Sequence, residues 1–315
     1  MTAYVLRRLF QMLPVLLIAS FAIFAMIYAV PGGPVAVIVG ENAGPEEIAA
    51  AIQRYGLDRP MVVQYADWLG RAMVGDFGLS LHSRQPVLQL IGERLPATLQ
   101  LALAAIFVAL LIGMPVAIAS AVRPNSWLDR LLSGWSALAL GVPTFWLGIL
   151  LILLFAVELR WLPSASRHVP FWESPVDALR SLALPAITLG TYVSGILARF
   201  LRASLIGEAR ADYVRTARAK GVPENRIVGL HIMRNALLPF VTIVGLMMAN
   251  FIGGAVVTEA VFTYPGLGRL LIQAITTRDY PLLQGCILVI LVAYMLINLT
   301  VDMLYAWIDP RIEYR

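Results

Sequence analysis

Charge is scarce in this chain, and lysine is scarcer still. Asp, Glu, Lys and Arg make up 14% of the 315 residues, against roughly 25% in soluble domains. The one lysine is Lys220, set between Ala219 and Gly221. A P-loop needs Gly-Lys-Ser/Thr so that its lysine reaches the phosphates, so ATP hydrolysis by that route is excluded. The one cysteine, Cys286, excludes an internal disulfide and reads as a small apolar packing residue. His82, His168 and His231 lie on separate segments without an i,i+4 pair or a cysteine neighbour, so no metal site is expected. H-E-x-x-H and G-x-S-x-G are both missing. A membrane-embedded enzyme would therefore lack its usual metal or nucleophile signature.

What the chain has instead is apolar length. Hydrophobic residues make up 59%. Uncharged runs extend over residues 9–30, 95–122, 131–157, 181–198, 235–258 and 280–301. A helix needs roughly 20 apolar residues to cross the hydrocarbon of a bilayer, which predicts six transmembrane helices and an all-α polytopic membrane protein in contact with lipid. The first run follows Arg7 and Arg8. It is too long for a signal-peptide core and continues into Pro31-Gly32-Gly33-Pro34 rather than a small-residue cleavage site, so it reads as an uncleaved helix. A channel or ion-coupled carrier predicts charges at mid-span or inverted repeats, and the runs offer few such charges.

Arginine placement predicts orientation, because basic residues near membrane ends favour the cytoplasm. Arg7 and Arg8 precede the first run, and Arg123 and Arg130 lie between the second and third. Arg202, Arg210, Arg215, Arg218, Lys220, Arg226 and Arg234 lie between the fourth and fifth. The segment 31–96 carries five arginines against seven acids, and 259–279 carries two against two. Both termini are expected on the cytoplasmic side. The net charge of +5 is a topology signal; the basic residues lack the interleaved aromatics of a nucleic-acid surface, and no nucleic acid is expected.

Residues 31–96 have helical structure of their own. Pro45-Glu46-Glu47 is a helix start that Gly56 ends, and a second helix begins at Pro60. Gly75-Asp76-Phe77-Gly78 is a turn, and 86–95 reads as a third helix. Such a segment is either a cap packed on the bundle or a surface touched by substrate or an external partner; periodicity does not separate the two. Within the spans, Asn250, Asn298 and Asp302 are candidate pathway or packing residues, with Arg199 near a span end. Gly245, Gly253 and Gly254 suit close helix packing, and Pro115, Pro143, Pro185 and Pro239 are candidate kinks.

The segment 208–239 carries the functional signal. Its first half holds good helix formers, and Arg218 and Lys220 complement a carboxyl-terminal dipole. Tyr213, Val214 and Ala217 form a short apolar stripe. Gly221 fits the left-handed position that stops a helix, and Pro223 with Glu224 opens the next. Ala217, Ala219 and Gly221 are small enough for another backbone to approach. This helix–Gly–Pro–helix between two spans reads as a docking element.

At these residues the sequence resembles a known family. DYVRTARAKG…RNALLP looks like the EAA loop of ATP-binding-cassette (ABC) importer permeases of the oligopeptide/dipeptide/nickel branch. The resemblance continues through YVLRRLFQMLPVLL, GDFGLSL, ERLPATLQLALA, EAVFTYPGLGRLL, RDYPLLQG and DMLYAWIDPRI, in the order of the first of the branch's two permeases. Arg215-Thr216-Ala217 stands where the general pattern has Glu-Ala-Ala, as in that branch. The resemblance implies a type I ABC importer permease fold in the inner membrane. It implies a first helix plus outer segment at 1–93, a permease domain at 94–305 and a cytoplasmic tail at 306–315. It also implies an ATPase-docking loop made of Tyr213, Val214, Arg215, Thr216, Ala217, Arg218, Ala219, Lys220 and Gly221. The implied partners are a second permease, two ATPase subunits carrying ATP and Mg, and an extracytoplasmic solute-binding protein. The cargo would be short peptides or related small solutes, with no cofactor held by this chain.

Overall fold

The computed structural model describes residues 2–29, 32–39 and 43–308. Met1, the end of the first apolar run at Val30, Pro31, and the expected tail from residue 309 onward lie outside the described residues. Among the described residues the regular structure is helical, apart from an isolated antiparallel bridge between Leu79 and Pro86. Two compact units emerge, one of residues 1–96 and 266–295, the other of 97–265 and 296–315.

The first unit holds α1 (Thr2–Ala25), α2 (Gly33–Val39), α3 (Pro45–Tyr55) and α4 (Met61–Met73). It also takes the first turns of α5 (Val87–Val122), all of α13 (Leu267–Thr276) and the first half of α14 (Tyr280–Ile308). Helix α3 forms as expected: Pro45 sits at its start, the Gly44 N–H donates to Glu47 Oε2 at 3.3 Å, and Gly56 ends it with φ +63°. The expected third outer helix at 86–95 is not separate. It is the first part of α5, which continues through Pro96 without a break.

One buried carboxylate organises this unit. Asp279, 1% exposed, accepts from the Leu282 N–H at 3.3 Å and so caps α14. It also accepts from Ser80 Oγ at 2.5 Å and from the Leu81 N–H at 3.2 Å. Gln284 donates to the Ile23 carbonyl at 3.2 Å, in the last turns of α1. A Cβ on Gly285 would lie 2.6 Å from Val87 Cγ1, so glycine lets α14 and α5 meet. The segments 75–81 and 278–285, noted above as separate motifs, are thus two halves of one contact.

The second unit contains the rest of α5, α6 (Trp127–Gly141), α7 (Thr144–Leu151, continued by a π-helical turn, Ile152–Glu158) and α8 (Pro175–Ala209). There follow α9 (Asp212–Ala219), α10 (Glu224–Arg226, continued by a π-helical turn, Ile227–Ile232), α11 (Met233–Gly254) and α12 (Val256–Val261). Helix α8 is its centre, with Leu189, Val193, Leu197 and Leu201 all buried in the core. Gly190 and Gly195 allow close approach. A Cβ on the first would meet Val108 Cβ at 2.7 Å, and on the second the Ser136 carbonyl oxygen at 3.0 Å. Glu259 of α12 is fully buried and accepts from Thr98 Oγ1 at 2.7 Å, which ties EAVFTYPGLG to ERLPATLQ.

Among the described residues, five helices are long and apolar enough to cross a bilayer: Leu6–Ala29, Val87–Val122, Pro175–Ala209, Glu224–Gly254 and Tyr280–Leu304. The expected third span at 131–157 differs. It is two helices bent by 98° between Gly141 and Thr144, giving six spans if the pair counts as one. Pro143 has no N–H to continue the ladder, and it pushes Val142 out of the helical region to φ −83°, ψ 122°. At Pro115, Pro185 and Pro239 the helices run on. Outward faces are apolar, as for Leu103, Phe107 and Leu111 of α5, each more than half exposed; in a membrane this is ordinary lipid-facing surface.

Candidate functional site

The candidate site is built on α9. Helix α8 ends at Ala209, and Ala211 turns extended at ψ 149°, so the chain breaks direction and restarts at Asp212. Asp212 stands in the first turn and Arg218 in the last, both favourable to the helix dipole. Val214 is fully buried and belongs to the core of the second unit. Burial of a valine is worth about 1.5–3 kcal/mol, so α9 is anchored rather than tethered. Ala217 packs partly against the same core. The expected stripe of Tyr213, Val214 and Ala217 therefore divides. Val214 and Ala217 face inward, while Tyr213 is 38% exposed.

Gly221 has φ +75° and nothing within 4 Å of where a Cβ would stand. The Val222 N–H returns to the Ala217 carbonyl at 3.2 Å, the closing bond of a left-handed helix stop. Pro223 then leads into α10. Arg218 spans this turn: its Nε and Nη2 donate to Glu224 Oε2 and Oε1 at 3.1 and 2.6 Å. Both side chains are roughly half exposed, so the pair shapes the turn more than it stabilises the fold. Arg215, Thr216, Arg218, Ala219, Lys220 and Gly221 are exposed together. The outer face of α9 is thus basic, and small at its end.

Tyr213 joins three segments. Its phenol donates to Glu208 Oε2 of α8 at 2.5 Å and accepts from Asn235 Nδ2 of α11 at 3.0 Å. Burial, and then the Glu208 carboxylate, push its pKa above the ordinary phenol value, against the Asn235 bond. The hydroxyl therefore stays protonated and able to donate. Movement of α9 is in this way linked to the end of one long helix and the start of another.

Close to this point is a contact that residue-by-residue reading missed. Arg202 of α8 donates from Nε and Nη2 to the two oxygens of Asp129 on α6, at 2.8 and 2.7 Å. The Asp129 side chain is 4% exposed and that of Arg202 30%. The Asn125 N–H and Ser133 Oγ also donate to Asp129, at 2.8 and 3.3 Å. Arg202 had read only as a topology charge. An acid so close to the start of an apolar run was the available signal. The polar candidates in the spans are dispersed: Asn250 is exposed on α11, and Asn298 and Asp302 are half-buried on α14. Among the described residues, no group of three or more His, Cys, Asp or Glu is placed to hold a metal ion.

The sequence model of a family described as "Binding-protein-dependent transport system inner membrane component" matches residues 109–314. The model of its amino-terminal region matches residues 1–102. The chain is 43% identical over 314 residues to a Brucella abortus chain named as a peptide transport system permease protein, with all of both chains covered. It is 41% identical over 315 residues to the glutathione transport system permease protein GsiC of Salmonella typhimurium, again with full coverage of both. Among solved structures it is similar to a chain of the MetNI methionine ABC transporter in inward-facing conformations. There the TM-score is 0.59 and the identity 19%, covering 70% of this chain and 97% of that one. That likeness bears on the fold alone.

Proposed function

The chain belongs to the binding-protein-dependent transport system inner membrane component family, the permease subunits of ABC importers, and from that premise we propose that α9 is the coupling helix through which separate ATPase subunits drive it. The permease is a multi-pass inner-membrane protein with the type I importer fold. In this reading it pairs with a second permease to form the pathway. A solute-binding protein delivers cargo at the outer face, and two ATPases dock at the inner face. Residues 94–305 are the permease domain and 1–93 the first helix with the outer segment. Short peptides or related small solutes are the cargo, as the names of the two relatives suggest.

The observation that carries the docking role is the combination at α9: a short helix pinned inward by Val214, and an outer face of Arg215, Arg218, Ala219, Lys220 and Gly221 with no core to cover it. A force applied to that face passes through Tyr213 to α8 and α11. Closure of the ATPase pair can bias the permease only through contacts that differ between its two states. An exposed helix anchored inward by Val214 supplies such a contact. The arginine asymmetry supports a cytoplasmic side for α9 and both termini.

The test uses the assembled importer. A cysteine at Ala219, in a Cys286→Ala background, is expected to crosslink to an ATPase subunit in inside-out vesicles and to be shielded from an impermeant reagent added to intact cells. Labelling of position 219 from outside, or failure to crosslink in an importer that transports normally, would remove both the topology and the docking role.

A further inference from the structure

We infer that the first unit contains a binding site of its own for a carboxylate-bearing solute with an apolar body. A cavity of about 670 Å³ opens there, among residues of α1, α4, the segment 76–84 and the start of α14. Ligand sites for small organic molecules are typically about 300–1,000 Å³. Phe24, Tyr28, Trp68 and Phe77 supply an aromatic wall, and Arg71 and Arg84 supply cationic groups. The aromatic rings are mutually braced, with Phe24 5.7 Å from both Tyr28 and Trp68 between centroids. That part of the wall is preformed.

The chemistry of the ligand follows from which polar groups are already engaged. Tyr28 donates to Gln64, whose amide donates in turn to the Leu57 and Arg59 carbonyls at 3.2 and 2.8 Å. Asp67 is paired with Arg59 at 3.1 Å. Asp76 accepts from the Gly78 N–H at 3.0 Å. Gln284 donates to the Ile23 and Phe24 carbonyls at 3.2 and 3.4 Å, so Asp67 and both wall amides are engaged, and Asp76 is bonded at one oxygen. Among the described residues, the guanidiniums of Arg71 and Arg84 have no carboxylate partner. Arg84 is also held on a fixed backbone. It stands at φ +60°, its N–H is bonded to the Ser80 carbonyl at 3.0 Å, and Ser80 is bonded to buried Asp279. A non-glycine residue in this region is strained and persists only where the surroundings dictate it. Two free guanidiniums beside an aromatic wall match a carboxylate attached to an apolar or aromatic body. A short peptide presenting its carboxyl terminus is that chemistry. The identification with peptide cargo rests on the proposed transport reading, whereas the preference for a carboxylate does not.

The probe is N-acetyl-leucyl-phenylalanine, with its carboxyl-terminal amide as the neutral counterpart. Binding to the purified full-length chain in phosphatidylcholine nanodiscs is read by calorimetry or saturation-transfer NMR. The acid is expected to bind at least tenfold more tightly than the amide. Arg71→Gln/Arg84→Gln should reduce acid binding at least tenfold, to the level of the amide. Arg180→Gln, which removes an exposed arginine of the second unit outside the cavity, should bind the acid as the native chain does. Equal binding of acid and amide, or unchanged acid binding by the double variant, would overturn the proposal. So would an equal loss in Arg180→Gln. In nanodiscs containing phosphatidylglycerol the acid should still bind. Its displacement would show that the cavity takes a lipid headgroup and would likewise overturn the assignment. No ATPase enters this measurement, so a failure of α9 docking would leave its result untouched.

Discussion

Replacing Arg202 by methionine removes the guanidinium that meets Asp129 and keeps most of the aliphatic volume. The consequence is set by the burial of the group left behind. Asp129 is 4% exposed and loses two charge-assisted bonds of 2.8 and 2.7 Å. It keeps only the Asn125 N–H and Ser133 Oγ. Breaking a buried pair from one side costs about 3–5 kcal/mol, mostly the penalty of an uncompensated charge. Arg202 is 30% exposed, so water enters where it stood, and the lower end of that range, about 3 kcal/mol, is expected. At about 2–4 °C per kcal/mol, this is a fall of roughly 6–12 °C in the thermal midpoint, read by tryptophan fluorescence in detergent.

The partner substitution separates charge from packing. Asp129→Asn keeps an acceptor for the Asn125 N–H and removes the charge. It leaves Arg202 partly hydrated and should cost about 1 kcal/mol, the worth of a hydrogen bond. Combined with Arg202→Met it should restore most of the lost stability, because no buried charge remains unpaired. The double variant is therefore predicted to be more stable than Arg202→Met alone. If Asp129→Asn and Arg202→Met simply add, the loss at Arg202 is one of packing and the argument from burial is wrong.

Two further outcomes follow from glycines. A Cβ on Gly245 would lie 2.1 and 2.5 Å from the Val301 methyls and 2.9 Å from Val301 Cβ, so Gly245→Ala should cost about 1–3 kcal/mol by overpacking, and Val301→Ala, which removes the two closer atoms, should recover part of it; a melt in which the second change gives no recovery would refute the α11–α14 contact as the cause. At Gly221, where φ is +75° and the space is open, Gly221→Ala should reduce uptake slightly and Gly221→Val strongly, since the penalty is conformational, roughly 1–2 kcal/mol, with membrane insertion retained; normal uptake by a well-expressed Gly221→Val protein would make the loop a passive connector.

The parts of this fold that were legible in the sequence are those governed by local chemistry. Apolar length located the spans, and Pro45 with Gly56 and Gly221 with Pro223 marked helix ends, because caps and left-handed stops depend on residues within one turn. The bend at Pro143 was expected as a kink, but not its size, which splits the run into two helices at 98°. Hydropathy across 131–157 is continuous, and an apolar run carries no record of backbone direction. The outer segment 86–95 failed in the opposite sense: Pro86 opened a helix as expected, but Pro96, which marked its end, lies inside a helix that runs to residue 122. The tertiary contacts were not legible residue by residue. Ser80 and Asp279 are 199 residues apart, Thr98 and Glu259 161, and Asp129 and Arg202 73. Burial raises the energetic weight of each such pair, yet no spacing rule connects them. Resemblance flagged four of these segments as motifs; only the contacts supply the reason.

These contacts also distinguish what is fixed from what can move. Asp129 with Arg202 binds the start of α6 to α8 by a bidentate, largely buried pair, which resists any relative shift of those two elements. The contacts of α9 are of another kind. Its outward charges are solvated, its Arg218–Glu224 pair is exposed, and beyond the packing of Val214 and Ala217 its side-chain hydrogen bonds to α8 and α11 pass through one phenol. A hydroxyl that both donates and accepts can exchange one partner at a cost of about 1 kcal/mol, far below that of separating a buried ion pair. A load on α9 would therefore re-aim the ends of α8 and α11 at Tyr213 before it disturbed α6. The energetically cheap joint thus stands between the exposed helix and the long spans, where the proposed coupling role needs it.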